Sequence, residues 1–248
     1  MPVPPFAIKK LIAPGTSDPR IDVIHGVILH VDAGNATSLY DFFKNRSGGL
    51  ESHCHVRKDG TVEWYRDTDY EADANYKANS FMVSNKRHGY LSVETQGKEA
   101  GEWTDAQIAS IKKIIDWAHD THGVPFKVCE STTGRGIGYH TLFGSPSAWT
   151  PVAKSCPGPD RKEQFSNVIK PWLAARAKAT AAPAKADANR AASIKSIRAA
   201  RKELKESRAD LRKAKAKTSA TSARGKRVRA GLRSINAALA ALRTPKKK

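Results

Sequence analysis

From residue 176 to the end the sequence has no tryptophan, tyrosine, phenylalanine, histidine or cysteine, and its acidic residues are only Asp187, Glu203, Glu206 and Asp210. Without aromatic side chains that stretch cannot build a large core, and without imidazoles or thiols it has few means of metal binding or nucleophilic catalysis. Such chemistry belongs to residues 1–175. Cysteine is scarce there too. Cys54, Cys129 and Cys156 are odd in number and widely spaced, which excludes a full disulfide framework. Reduced thiols are the expectation, and a single Cys54–Cys129 bridge is compatible with the sequence. No run approaches the roughly 20 apolar residues of a membrane span. The opening "MPVPPFAIKKLIAPG" lacks the apolar stretch of about 7–15 residues that marks a secretory signal.

What is present divides sharply. The 248 residues carry a formal charge of +19. Residues 1–175 hold 20 Lys+Arg and 20 Asp+Glu, whereas residues 176–248 hold 23 against 4, so the whole excess lies in the tail. The expected organisation is a catalytic domain over 1–178, a linker over 179–187 and a basic helical region over 188–248.

Within the first part, "VIHGVILH" (23–30) is the apolar, β-branched run of a buried strand, and it ends on His30. "ATSLYDFFKN" predicts a helix with Leu39, Phe42 and Phe43 on one side. "SHCHVRKDGTVEWYR" reads as two strands joined around Lys58-Asp59-Gly60, since Asp-Gly favours hairpin turns. "YLSVETQG" (90–97) alternates Leu91 and Val93 with Ser92 and Glu94, a strand with one polar face.

The clearest helix follows Thr104, which with Gln107 forms a capping box; Ile108, Ile111, Ile115 and Ala118 share a face, and Gly123 stops it. Asp160 and Glu163 repeat the device, with Pro171 expected to kink or break the second helix. Strands interleaved with helices predict an α/β sheet covered by helices. In the tail, Ile197, Leu204 and Leu211 are seven apart, and Val228, Leu232, Ile235, Leu239 and Leu242 follow a 4-3-4-3 seam. Two basic helices over 188–217 and 223–243 are expected, able to pair with each other or between chains.

His30 at a strand end, His140 in "GIGYHTLFG" and Cys156 in "AKSCPGPD" form a set that zinc accepts in catalytic sites. Their spacing has none of the regularity of C-x-x-C or H-E-x-x-H. On residue type alone, hydrogen-bonded core histidines and a small buried cysteine are the more ordinary reading. His25 and His30, five apart, fall on opposite faces of a continuous strand; His53 and His55 share a face.

Read in order, "VILHVDAG", "SHCHVRKDGTVEWY", "YLSVETQG", "GIGYHTLFG" and "AKSCPGPD" resemble the peptidoglycan amidases that include the small phage lysozyme-type enzymes and the peptidoglycan recognition proteins. The resemblance covers most of residues 20–175. It implies a mixed central sheet flanked by helices, one Zn²⁺, and N-acetylmuramoyl-L-alanine amidase activity on bacterial peptidoglycan. His30, His140 and Cys156 match the metal ligands, Glu94 the acid, and Lys154 the lysine two before the last ligand. On an extended segment Lys154 and Cys156 share a face, which would aim the ammonium at the space beside the metal. Ser52 stands where some members have tyrosine, and Cys156 where others have aspartate. Non-catalytic recognition proteins usually lack this cysteine, so its presence favours an enzyme over a binding-only module.

The basic tail will bind polyanions with salt-sensitive affinity. Anionic cell-wall polymers or an acidic membrane surface are the partners that suit an amidase head, with oligomerisation through the seam and nucleic acid as the other readings. A wall-cleaving activity without a secretory signal implies a phage endolysin, held in the host cytoplasm until lysis and then acting on the cell wall.

Overall fold

A computed structural model describes residues 3–15, 18–45, 52–219 and 221–242, in two units, Met1–Lys178 and Ala179–Lys248. In the first unit one mixed sheet contains β1 (Ile8–Lys9), β2 (Val23–Leu29), β3 (Cys54–Val56), β4 (Val62–Trp64), β5 (Phe81–Val83), β6 (Lys86–Thr95) and β7 (Gly136–Tyr139). The order is β1-β4-β3-β6-β2-β7, with β5 beside β6. Strands β3, β6, β2 and β7 run parallel, while β3–β4 and β5–β6 are antiparallel. The helices are α1 (Tyr40–Asn45), α2 (Asp105–His122), α3 (Pro159–Gln164), α4 (Lys170–Ala216) and α5 (Ala223–Ala241). The architecture is the expected mixed α/β sheet flanked by helices.

Alternation along the strands separates two faces. Val27, Leu29, Cys54, Val56, Leu91, Val93 and Ile137 enter one core, which α2 closes with Ile108, Ile111, Ile114, Ile115 and Ala118. Phe165, Ile169 and Leu173 complete that layer. Ile28 and Tyr90 point to the other face, where they pack with Cys129 and Trp149. Helix α2 starts where expected: Thr104 Oγ1 accepts the Gln107 N–H and Gln107 Oε1 accepts the Thr104 N–H, each at 3.1 Å. Gly123, left-handed at φ 66°, ends it.

Several local expectations give way to longer-range contacts. Phe42 is 44% exposed although Leu39 and Phe43 are buried, because the short α1 presents only one narrow stripe to Tyr65. Helix α3 has no side-chain cap; Asp160 instead accepts the Gly101 N–H at 2.6 Å. Pro171 does not break the chain's helix. A π-helical turn over Phe165–Ile169 precedes it, and this wider turn accommodates the ring and the missing N–H. Residues 179–187, expected to be a linker, are helical within α4, as their alanine content favours. The three cysteines are free, so Cys54 and Cys129 are not bridged.

In the second unit the tail is helical to Ala216 and again from Ala223, where Ser222 Oγ caps α5 by accepting the Gly225 N–H at 3.0 Å. The expected second helix reaches residue 243, which lies outside the described residues. Among the described residues no helix is long and apolar enough to cross a membrane.

Ile111 is fully buried at the centre of the α2 layer. Ile111→Ala should lower the unfolding free energy by about 2–5 kcal/mol in urea titrations; a change below measurement error would show that α2 does not hold this face.

Candidate metal centre

Strands β6, β2 and β7 lie side by side and parallel, so their carboxyl ends share one edge of the sheet. Glu94 is the penultimate residue of β6, His30 follows β2 and His140 follows β7. Parity places all three on the face opposite α2: Glu94 with Tyr90, His30 with Ile28, and His140 with Gly138. Gly138 has no room for a side chain, since a Cβ there would lie 2.7 Å from the Trp149 ring. Cys156 arrives from the loop after β7. Its Sγ accepts the Val31 N–H at 3.4 Å, and Thr141 Oγ1 donates to its carbonyl at 2.7 Å.

The ligand atoms of His30, His140 and Cys156 lie within 4.8 Å of one another. His30 Nδ1 is 3.9 Å from Cys156 Sγ and 3.9 Å from Glu94 Oε1. Each imidazole is oriented from behind. His30 Nε2 meets Asn75 Oδ1 at 2.8 Å, and His140 Nε2 meets the Trp149 carbonyl at 2.9 Å. The Asn75 amide is itself fixed by Nδ2 donating to the Tyr90 carbonyl at 3.4 Å. Because both partners are acceptors, each Nε2 carries the proton and each Nδ1 keeps its lone pair for a metal. Two imidazole nitrogens and one sulfur are a donor set that suits zinc, so the residues fit the ion that the resemblance implies.

Burial sets the charge states. His30 titrates well below the ordinary histidine value through desolvation, with His140 adding repulsion. His140 is lowered to about 4 by desolvation and then by the Lys154 charge, so both rings are neutral near pH 7. Desolvation raises Cys156 to about 12 without a metal, with the Glu94 charge adding to it; a bound cation favours the thiolate. Glu94 is raised to about 8 by burial first and by Asp32 second. Its Oε2 is buried without a hydrogen-bond partner, while Oε1 accepts from Ser52 Oγ at 3.4 Å. Ser52 is fully buried and pairs with Ser92 Oγ at 2.7 Å. At Ser52 a hydroxyl thus reaches the acid itself.

The three ligands, Glu94 and Lys154 line one cavity of about 350 Å³, whose other wall is Leu39, Phe42 and Phe43. Lys154 is exposed on the non-helical segment before Cys156. Its positive charge acts on His30, His140, Glu94 and Cys156 alike.

Four further histidines lie beside neighbours of their own. His25 Nδ1 meets His88 Nδ1 at 2.8 Å. A bulge between Ile24 and Gly26 makes His25 the extra residue of β2 and turns it toward Tyr90, on the face of His30 rather than the opposite one. His53 Nδ1 accepts the Ser92 N–H at 3.1 Å, and His55 Nε2 lies 3.4 Å from Asp32. Sequence reasoning missed Asn75 and Arg161. Arg161, 1% exposed, donates to the carbonyls of Lys98 at 2.8 Å and Pro157 at 3.1 Å. It thereby ties the turn after Cys156 to the end of β6. Nothing in the residue types around either position marks these roles.

Replacing Asn75 by Leu removes the acceptor that orients His30. Affinity for zinc, measured by competition with a chromophoric chelator, should fall about 10–100-fold, whereas Asn75→Asp should stay close to the parent. Equal affinity in the Leu variant would show that Asn75 does not set the ring.

A family model described as N-acetylmuramoyl-L-alanine amidase matches residues 19–159. No curated protein sequence matches the chain significantly. Among solved structures, the chain is similar to the N-acetylmuramoyl-L-alanine amidase LysC from Clostridium intestinale, at 15% identity and TM-score 0.45, over 67% of this chain and 99% of that one. It is similar to the Staphylococcus aureus hydrolase AmiA at 13% identity and TM-score 0.47, over 66% and 82%. Drosophila peptidoglycan recognition protein SD is similar at 11% identity and TM-score 0.46, over 64% and 94%. With more than half of its length matched by the family model and its donor set assembled at one sheet edge, the chain belongs to the N-acetylmuramoyl-L-alanine amidase family.

Proposed function

We propose that the protein is a zinc-dependent peptidoglycan hydrolase that cleaves the amide between the lactyl group of N-acetylmuramic acid and the L-alanine of the stem peptide. The observation that carries this reading is the convergence of His30, His140, Cys156, Glu94 and Lys154 on one cavity in a chain of the amidase family. Held by His30, His140 and Cys156, zinc would supply Lewis acidity and acidify water near neutral pH.

The chain's own groups account for the rest. Burial holds Glu94 above the ordinary carboxylate range in the metal-free protein, and a cation bound beside it would favour its carboxylate form. Its carboxylate takes the proton of the attacking water and returns it to the departing amide nitrogen, a role worth about 10²–10⁴ in rate. The Lys154 ammonium stabilises the negative oxygen that develops on the carbonyl. Leu39, Phe42 and Phe43 form an apolar wall that limits water on the other side. A polycationic tail on such a head would hold the enzyme at an anionic envelope and raise the local substrate concentration. That combination fits an endolysin, released from the host cytoplasm to the wall at lysis.

Purified walls should release peptides with free N-terminal alanine, and a chelator should stop the release. Glu94→Gln should lower kcat about 10²–10⁴-fold, and Cys156→Ala should abolish chelator-sensitive release. Full activity of Cys156→Ala would overturn the metal assignment. Binding of wall fragments without any release would make the protein a recognition module instead.

A further inference from the structure

The second unit carries a site that the amidase chemistry does not use. Between helices α4 and α5, Ser222 Oγ donates to the Ser219 carbonyl at 2.9 Å, and a Cβ on Gly225 would fall 2.1 Å from that same oxygen. Gly231 meets Leu211, whose Cδ1 would be 3.1 Å from a Cβ there, and Val228 is buried. The apolar seam therefore closes the two helices against each other, antiparallel.

Closure brings cations from both helices to one groove. Arg208, Arg212 and Lys215 of α4 face Arg229 and Arg233 of α5 across it, and among the described residues no carboxylate lines it. Arg208 with Arg212, and Arg229 with Arg233, are like charges four apart, an arrangement that costs helix stability. The Nε of Arg208 is buried and lacks a hydrogen-bond partner. Four of the five cations are arginine, whose planar fork matches phosphate oxygens in pairs.

The composition of the tail narrows the anion. Sites for single-stranded nucleic acid commonly stack bases on aromatic side chains, and insertion into a bilayer surface commonly uses Trp or Phe. Residues 176–248 contain neither, and the seam engages Leu211 and Val228. We propose that the groove between α4 and α5 binds the phosphodiester backbone of a polyol-phosphate polymer attached to the bacterial wall. The choice of polymer rests on the reading of the first unit as a wall hydrolase; the groove itself does not.

The test uses the full chain with purified poly(glycerol phosphate), and with single-stranded DNA, duplex DNA and phosphatidylglycerol vesicles at equal phosphate. Affinities are measured from 50 to 300 mM salt. Arg212→Gln/Arg229→Gln/Arg233→Gln removes three groove charges, and Lys213→Gln/Lys217→Gln/Lys226→Gln removes three charges that do not line the groove. Circular dichroism checks that both variants keep the parent helicity. The groove variant should bind poly(glycerol phosphate) at least about 10-fold more weakly, with a salt slope smaller by about 2–3, while the control variant loses less than about 3-fold. Equal losses in the two variants would overturn the groove, as diffuse charge would then suffice. Tighter binding of DNA or vesicles than of poly(glycerol phosphate) at the same salt would overturn the assigned partner. Peptide release from polymer-stripped walls, measured in parallel, should be the same for parent and groove variant. Absence of release by the parent would count against the hydrolase reading alone and would leave the binding result to stand by itself.

Discussion

Three parallel strands end side by side, and the two-residue alternation of each strand decides what stands at that edge. On β2, β6 and β7 the residues facing α2 are apolar and pack into a continuous core. The intervening positions must therefore face the other way, and the last of them are His30, Glu94 and His140. A one-residue slip in any strand would bury a histidine or carboxylate among isoleucines. The hydrophobic register that stabilises the sheet is thus the same constraint that assembles the site.

Position alone does not make a ligand set; orientation does. Both imidazoles are held from behind by fixed oxygens, Asn75 Oδ1 and the Trp149 carbonyl, and their burial keeps them neutral. The same burial leaves Glu94 Oε2 without a partner, which costs about 1–3 kcal/mol for a buried polar atom. Sites that must act on a substrate commonly carry such a cost. The large apolar layer under α2 offsets it, and Arg161 keeps the Cys156 turn in place from beneath.

Much of this was legible because it is local. The Asp-Gly turn between β3 and β4, the Thr104–Gln107 capping box, the apolar run of β2 and the alternation in β6 are each written within a few residues. The five motifs in order carried the resemblance and with it the site. What could not be read depends on partners distant in sequence. The bulge at His25 comes from pairing with β6, and the survival of helix past Pro171 depends on a π-turn. Asp160 abandons its expected cap for Gly101. Asn75 and Arg161 act on residues 45 and 63 positions away, where no spacing rule reaches. Residues 179–187, which begin where the two units divide, are helical, as their alanine content favours.

The chain thus joins a nearly neutral α/β unit, whose chemistry is concentrated at one sheet edge, to a basic helical unit that carries +17 of the net charge of +19. The central claim is that His30, His140 and Cys156 form a single metal centre. X-ray absorption at the zinc edge of the stoichiometrically loaded protein tests it most directly. The account predicts two imidazole nitrogens and one sulfur at about 2.3 Å, with the sulfur lost in Cys156→Ala. A zinc shell without sulfur in the parent protein would contradict it.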